Sequence, residues 1–69
     1  MRLSARNQIK GKIVDVRKGA TTSHIRVEVA AGQVITASIT NEAVEELGLK
    51  TGMTAVAVIK ASDVMIAVD

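Results

Sequence analysis

The chain has 69 residues and contains no cysteine, no proline and no aromatic side chain, with a single histidine. Each absence removes a class of protein. Without cysteine there is neither a disulfide framework nor a thiolate zinc site. One histidine, His24, cannot build a histidine-rich metal centre, so no free metal cation is expected. Without Phe, Trp or Tyr, a nucleic-acid surface loses the stacking platforms that supply most of its affinity. The longest purely apolar runs, Ala55–Ile59 and Val64–Val68, fall far short of the roughly 20 residues that span a bilayer. Residues Met1–Ser4 do not open a signal-peptide apolar run, so a cytoplasmic location is expected.

What is present is aliphatic. Apolar residues make up 48% of the chain, almost all Val, Ile, Ala, Leu and Met. Below roughly 70–80 residues a single core rarely supplies more than about 3–5 kcal/mol. Disulfides and metals being excluded, oligomerisation is the remaining way to stabilise so short a chain, which is expected to form one domain over residues 1–69. Charge is formally +2 but uneven. Residues 1–18 carry Arg2, Arg6, Lys10, Lys12, Arg17 and Lys18 against Asp15 alone. A basic N-terminal third invites an anionic partner.

Strand signals dominate. Residues 7–18 read as a long first strand, with Gly11 inside it and Ile13-Val14 breaking the alternation. Both features suggest a bulge or sharp coil. Residues 23–30 alternate, with Ile25, Val27 and Val29 on one face and His24, Arg26 and Glu28 on the other. Residues 34–39 return after Ala31-Gly32-Gln33 to complete a hairpin. A short helix is expected over 41–47, with Thr40 as N-cap, Glu42 in the first turn and Gly48 as its stop. Ala43 leaves the capping box incomplete. Residues 55–60 and 64–68 read as fourth and fifth strands, apolar on both faces and therefore suited to a subunit interface. Five strands with a helix between the third and fourth is the order of an OB-like barrel, mainly β.

Catalysis finds no support. His24 sits on a polar strand face with no triad around it. Glu42, Glu45 and Glu46 form a solvated helix face, and the glycines sit singly at bends with no phosphate loop. No enzyme is expected. What remains is a set of donors at strand ends: the hydroxyls of Ser4, Thr40 and Ser62, the cations Arg6 and Lys60, and nearby backbone N–H groups. Taken singly, Thr40 is a cap, Ser62 a turn residue and the two cations surface charges.

Ser4-Ala5-Arg6-Asn7-Gln8, followed by an aliphatic residue and Gly11, resembles the opening of the molbindin family, small molybdate-binding proteins and related domains. Val44-Glu45-Glu46-Leu47-Gly48-Leu49 resembles that family's helix and exit. Val58-Ile59-Lys60-Ala61-Ser62-Asp63-Val64-Met65-Ile66 resembles its closing segment. The resemblance runs through essentially the whole chain. It implies an OB-like fold, a hexamer assembled as a trimer of dimers, and molybdate or tungstate held between subunits for storage or buffering, with no organic cofactor. By motif match, Ser4, Ala5 and Arg6 supply donors from one chain, and Thr40, Lys60, Ala61 and Ser62 complete the pocket from a neighbour. A second kind of site near a threefold axis corresponds to Gly19, Ala20, Thr21 and Thr22.

Molybdate at neutral pH is a tetrahedral dianion without a proton, and its site needs donors only. Monoprotonated phosphate brings an O–H that needs an acceptor, so a donor-only pocket disfavours it. Sulfate matches in charge and shape, so cavity size must reject it. A competing resemblance lies in Leu47-Gly48-Leu49-Lys50-Thr51-Gly52, similar to the helix exit of swapped-hairpin DNA-binding regulators. The Gly-Arg-Ile-x-Ile-Pro strand of those proteins is missing. A third reading is a pure assembly module.

Overall fold

The computed structural model describes residues 2–69. The elements run β1 (Asn7–Lys18), β2 (Thr22–Ala30), β3 (Gln33–Thr40), α1 (Asn41–Leu47), β4 (Thr54–Ile59) and a single 3-10 turn, Ala61–Asp63. The strands form one antiparallel sheet in the order β3-β2-β1-β4.

β1 curls the sheet. Its first half, Asn7 to Lys12, pairs with β4, and its second half, Lys12 to Lys18, pairs with β2. The handover falls where the register shifts between Ile13 and Asp15. That is the bulge foreseen from the Ile13-Val14 break in alternation, and a bulge bends the strand that carries it. Ile13 donates its N–H to Met53 O at 2.9 Å and accepts from Gly52 N–H at 2.8 Å. Gly11 lies tight against β2. A Cβ built there would stand 2.5 Å from the carbonyl oxygen of Glu28 and 2.8 Å from Val27 Cγ1.

The inner face follows the period-2 pattern. Ile13, Ile25 and Val27 are buried, and Val44 of α1 closes over them. Val16, Val29, Ala37, Ile39, Leu49 and Ala55 pack around this nucleus. His24, Arg26 and Glu28 lie on the outer, solvated face. The helix matches its expected bounds because both ends are chemically defined. Thr40 accepts a hydrogen bond from Ala43 N–H at 3.1 Å. Gly48 takes φ 63°, and the N–H groups of Gly48 and Leu49 return to Glu45 O and Val44 O, each at 3.1 Å.

The expected fifth strand is not formed. Residues 64–68 make no ladder, and Met65, Ile66 and Val68 are 92%, 87% and 91% exposed. Apolar, β-branched composition supplies an appetite for a sheet, but a strand exists only where an edge receives it. The 3-10 turn carries the chain off the end of β4 and returns it to neither free edge. The sheet is therefore a curled four-stranded half-barrel. An apolar groove of about 540 Å³ stays open along its inner face, lined by Ile35, Ala37, Ile39, Leu49, Val56 and Val58 among others.

Candidate functional site

The pairing of β1 with β4 joins segments far apart in sequence. The outermost pair of that ladder is Asn7 with Ile59, and Asn7 Nδ2 donates to Ile59 O at 3.2 Å. One step outward from this pair lie Arg6 on one side and Lys60 on the other. Ser4-Ala5-Arg6 and Lys60-Ala61-Ser62 thus leave the sheet side by side from a single clamped point. Gln8 Nε2 donates to Ala5 O at 3.3 Å and takes up that carbonyl. Lys60 O accepts from Asp63 N–H at 2.9 Å, and Ala61 O accepts from Val64 N–H at 3.2 Å. The N–H groups of Ala61 and Ser62 find no backbone acceptor outside the sheet. The carbonyls of Ala5, Lys60 and Ala61 are engaged while these N–H groups are left over, a balance that suits an anion.

The charges agree. Among the described residues the one ion pair is Lys18 with Glu45, at 3.8 Å. Arg6 and Lys60 therefore have no acidic partner. Every residue of the group is exposed except Ala5, which is half-buried. Two cations and two hydroxyls at one corner of the sheet can hold a small anion, whose outer side this chain alone would leave in water.

Thr40 falls elsewhere. It pairs with Thr22 at the far end of β2, beside the turn after β1, and its hydroxyl caps α1. Within one chain Thr40 therefore belongs with Gly19–Thr22 and not with Arg6 and Lys60. Lys60–Ser62, which the resemblance draws from a neighbour, already adjoin Ser4–Arg6 in the same chain.

The Gly19–Thr22 turn has neighbours that the sequence reading passed over. A depression of about 200 Å³ beside it is lined by Arg17, Lys18, Gly19, Thr22 and His24. Arg17 and His24 are direct cross-strand partners on the outer face. The hairpin register was the signal that could have joined them, since His24 read alone is a plain surface residue. Asn41 was missed as well: its Nδ2 donates to Gly19 O at 3.1 Å and to Ala20 O at 3.3 Å, holding the turn, but position one of a helix carries no motif.

Among the described residues no cluster of three or more His, Cys, Asp or Glu is placed to hold a metal ion, and no helix is long and apolar enough to cross a membrane. The segment that resembles swapped-hairpin regulators is the cap of α1 and the turn into β4, closed onto β1 of the same chain by Gly52 N–H to Ile13 O.

A curled antiparallel half-barrel with one short helix and a donor cluster at its strand ends defines a small OB-like domain. The TOBE domain family model matches residues 3–66. Molybdenum-pterin-binding protein 1 of Clostridium pasteurianum is 52% identical over 66 residues, covering 96% of this chain and 97% of that protein. MopII of the same organism superposes with a TM-score of 0.89 at 48% identity, over 97% of this chain and all of that one. The cytoplasmic molybdate-binding protein ModG, in a form with molybdate bound, superposes with a TM-score of 0.89 at 46% identity, over 94% of this chain and 46% of that one. The chain belongs to the molbindin family of TOBE-domain proteins. These relatives carry the names of binding proteins, not of enzymes.

Proposed function

We propose that this protein is a cytoplasmic molybdate-binding protein, also able to take tungstate, that stores or buffers the oxyanion. The observation that carries the reading is the adjacency of Ser4-Ala5-Arg6 and Lys60-Ala61-Ser62 around the Asn7–Ile59 clamp. Arg6 and Lys60 balance the two charges of the ligand. The hydroxyls of Ser4 and Ser62 and the free N–H groups around Ala61 direct donors at its oxygens. Roughly six charge-assisted hydrogen bonds at about 1.5–3 kcal/mol each, less the costs of binding, bring micromolar or tighter affinity within reach. The names of the relatives, which specify molybdenum or molybdate, support the same ligand.

The ligand is held between subunits of a homo-oligomer, a hexamer built as a trimer of dimers. Support comes from three features of the single chain. Its anion donors are exposed on their outer side, where a dianion needs cover. Its inner groove is open and apolar. Its segment 64–68 is apolar and has no ladder of its own. A second copy supplies what each lacks, including a Thr40 that the first chain cannot bring to its own Arg6. Ligand bound across such a junction stabilises the assembly by mass action.

Calorimetric titration of the protein with molybdate, tungstate, sulfate and phosphate tests the reading. Heat with the first two, saturating at micromolar concentration or below, is the expected result. Absence of heat with all four, together with salt-sensitive retardation of DNA, would transfer support to the regulator reading.

A further inference from the structure

We propose that Gln8 sets the specificity of the Arg6–Lys60 site: by donating to the carbonyl of Ala5 it withholds an acceptor that a protonated oxyanion needs, and so rejects phosphate. This rests on the oxyanion reading above and adds a positioning residue to it. Gln8 acts through Ala5 and not on the ligand.

Four carbonyls at this corner of the sheet are occupied from inside the chain. Asp63 N–H donates to Lys60 O at 2.9 Å, and Val64 N–H to Ala61 O at 3.2 Å. Asn7 Nδ2 donates to Ile59 O at 3.2 Å. Gln8 Nε2 donates to Ala5 O at 3.3 Å. Carbonyls only accept, so the nitrogen of the Gln8 amide, and not its oxygen, faces Ala5.

Three of these bonds have a structural task as well. The two from Asp63 and Val64 close the 3-10 turn, and the one from Asn7 clamps the last pair of the β1–β4 ladder. The Gln8 bond has none. Gln8 pairs with Val58 in that ladder, and both residues are exposed. Its side chain turns back three residues to a carbonyl that no backbone donor reaches among the described residues. Covering Ala5 O is what this side chain does.

The position of Ala5 gives that cover a consequence. Ala5 stands between Ser4 and Arg6, which bring a hydroxyl and a guanidinium to the site, and it is the half-buried member of the group. Left bare, its oxygen would stand among the donors. To an oxyanion without a proton such an oxygen is repulsive. To hydrogen phosphate it is the partner that the O–H requires. A serine hydroxyl is a poorer substitute, because accepting the phosphate proton turns its own proton away from the ligand. Gln8 thus discriminates by leaving the wrong ligand with an unpaired O–H, the costlier side of the hydrogen-bond balance.

The test is a competition titration of the full chain at mildly alkaline pH, where phosphate carries two charges and one proton and sulfate two charges and none. Molybdate is bound first and then displaced by each. Gln8→Met keeps the length of the side chain and loses its donor. It is expected to raise the affinity for phosphate relative to sulfate by about three- to tenfold, the effect of one hydrogen bond, while molybdate binding falls by no more than about threefold. Gln8→Lys restores a donor within reach of Ala5 O. Its charge tightens every dianion, but the phosphate-to-sulfate ratio is expected to return to within about twofold of wild type. Gln8 is exposed, so both variants are expected to fold, which circular dichroism checks. Sulfate separates specificity from packing, since a pocket that was merely loosened would admit sulfate and phosphate alike. An unchanged ratio in Gln8→Met overturns the inference, as does a ratio in Gln8→Lys altered as much as in Gln8→Met; either leaves the Arg6–Lys60 site standing. Failure of the wild-type protein to bind molybdate ends both.

Discussion

Arg6→Ala and Lys60→Ala are each expected to lower the affinity for molybdate by about 10- to 100-fold, the range set by losing one charge-assisted hydrogen bond at about 1.5–3 kcal/mol. The large effect follows from the ligand's two charges. On the proposed reading, removing one of two cations would leave a dianion half compensated at a junction between copies, where an unbalanced charge costs most. Because both cations act on the same ligand, the double variant is expected to deviate from the sum of the single losses. The fold should be indifferent to either change. Arg6 and Lys60 are exposed and without acidic partners among the described residues, and the clamp next to them is made by Asn7 and the backbone of Ile59. Calorimetry reads the affinity and circular dichroism the fold. Affinities within about twofold of wild type in both variants would remove these residues from the site.

Gly11→Val is expected to lower the melting temperature by about 10–20 °C. Overpacking costs about 1–3 kcal/mol, and a domain of this size loses roughly 4–8 °C per kcal/mol. The upper part of that range applies because the obstacle is backbone. The first atom added would stand 2.5 Å from Glu28 O and 3.1 Å from Glu28 C, with Val27 Cγ1 at 2.8 Å. A side chain could rotate away, but the carbonyl of Glu28 belongs to the β1–β2 ladder, where Glu28 pairs with Lys12. Relief would mean separating the strands at the point where β1 turns from β4 to β2, and thereby flattening the sheet. The two ends of β1 would then lose their placement: one carries Arg6 and the other opens into the Gly19–Thr22 turn. Gly11→Val should therefore weaken molybdate binding as well as stability, whereas Lys10→Ala, a neighbour facing solvent, should do neither. A melting temperature within about 2 °C of wild type would show that the strands yield cheaply here.

Local chemistry made part of this fold legible. α1 was bounded from sequence because Thr40 and Gly48 each perform a task few residues perform, capping an N-terminus and adopting a positive φ. β1 was bounded because polar residues and Gly19 flank it, and its irregularity was visible as a broken alternation at Ile13-Val14. β2 differs by a residue at one end and β3 and β4 by a residue at both, where ladder hydrogen bonds and not side chains set the limit. Residues 64–68 were misread for a deeper reason. Their composition states that they need a sheet, but no sequence pattern states which edge, or whose, receives them.

The site divides in the same way. Both donor segments were recognisable as motifs, because Ser4–Asn7 and Lys60–Ser62 resemble a family pattern. Their meeting in one chain was not, since it depends on a ladder whose outermost pair joins residues 52 positions apart in sequence. Thr40 shows the converse. The β2–β3 register carries it to the opposite end of β1, so within one chain it does not meet Arg6 and Lys60, and the expectation that it joins them from a neighbouring copy was not legible in the sequence of one chain. Asn41 was invisible because its work is done on carbonyls, and one asparagine among polar neighbours carries no signal of where its amide points.

The most direct measurement is a crystal of the protein grown with tungstate, with anomalous scattering recorded at the tungsten absorption edge. The strongest peak should lie between Ser4–Arg6 and Lys60–Ser62, within hydrogen-bonding reach of Arg6 and Lys60 and covered by a second copy of the chain. A peak set that leaves this corner empty while occupying other positions would contradict the assignment.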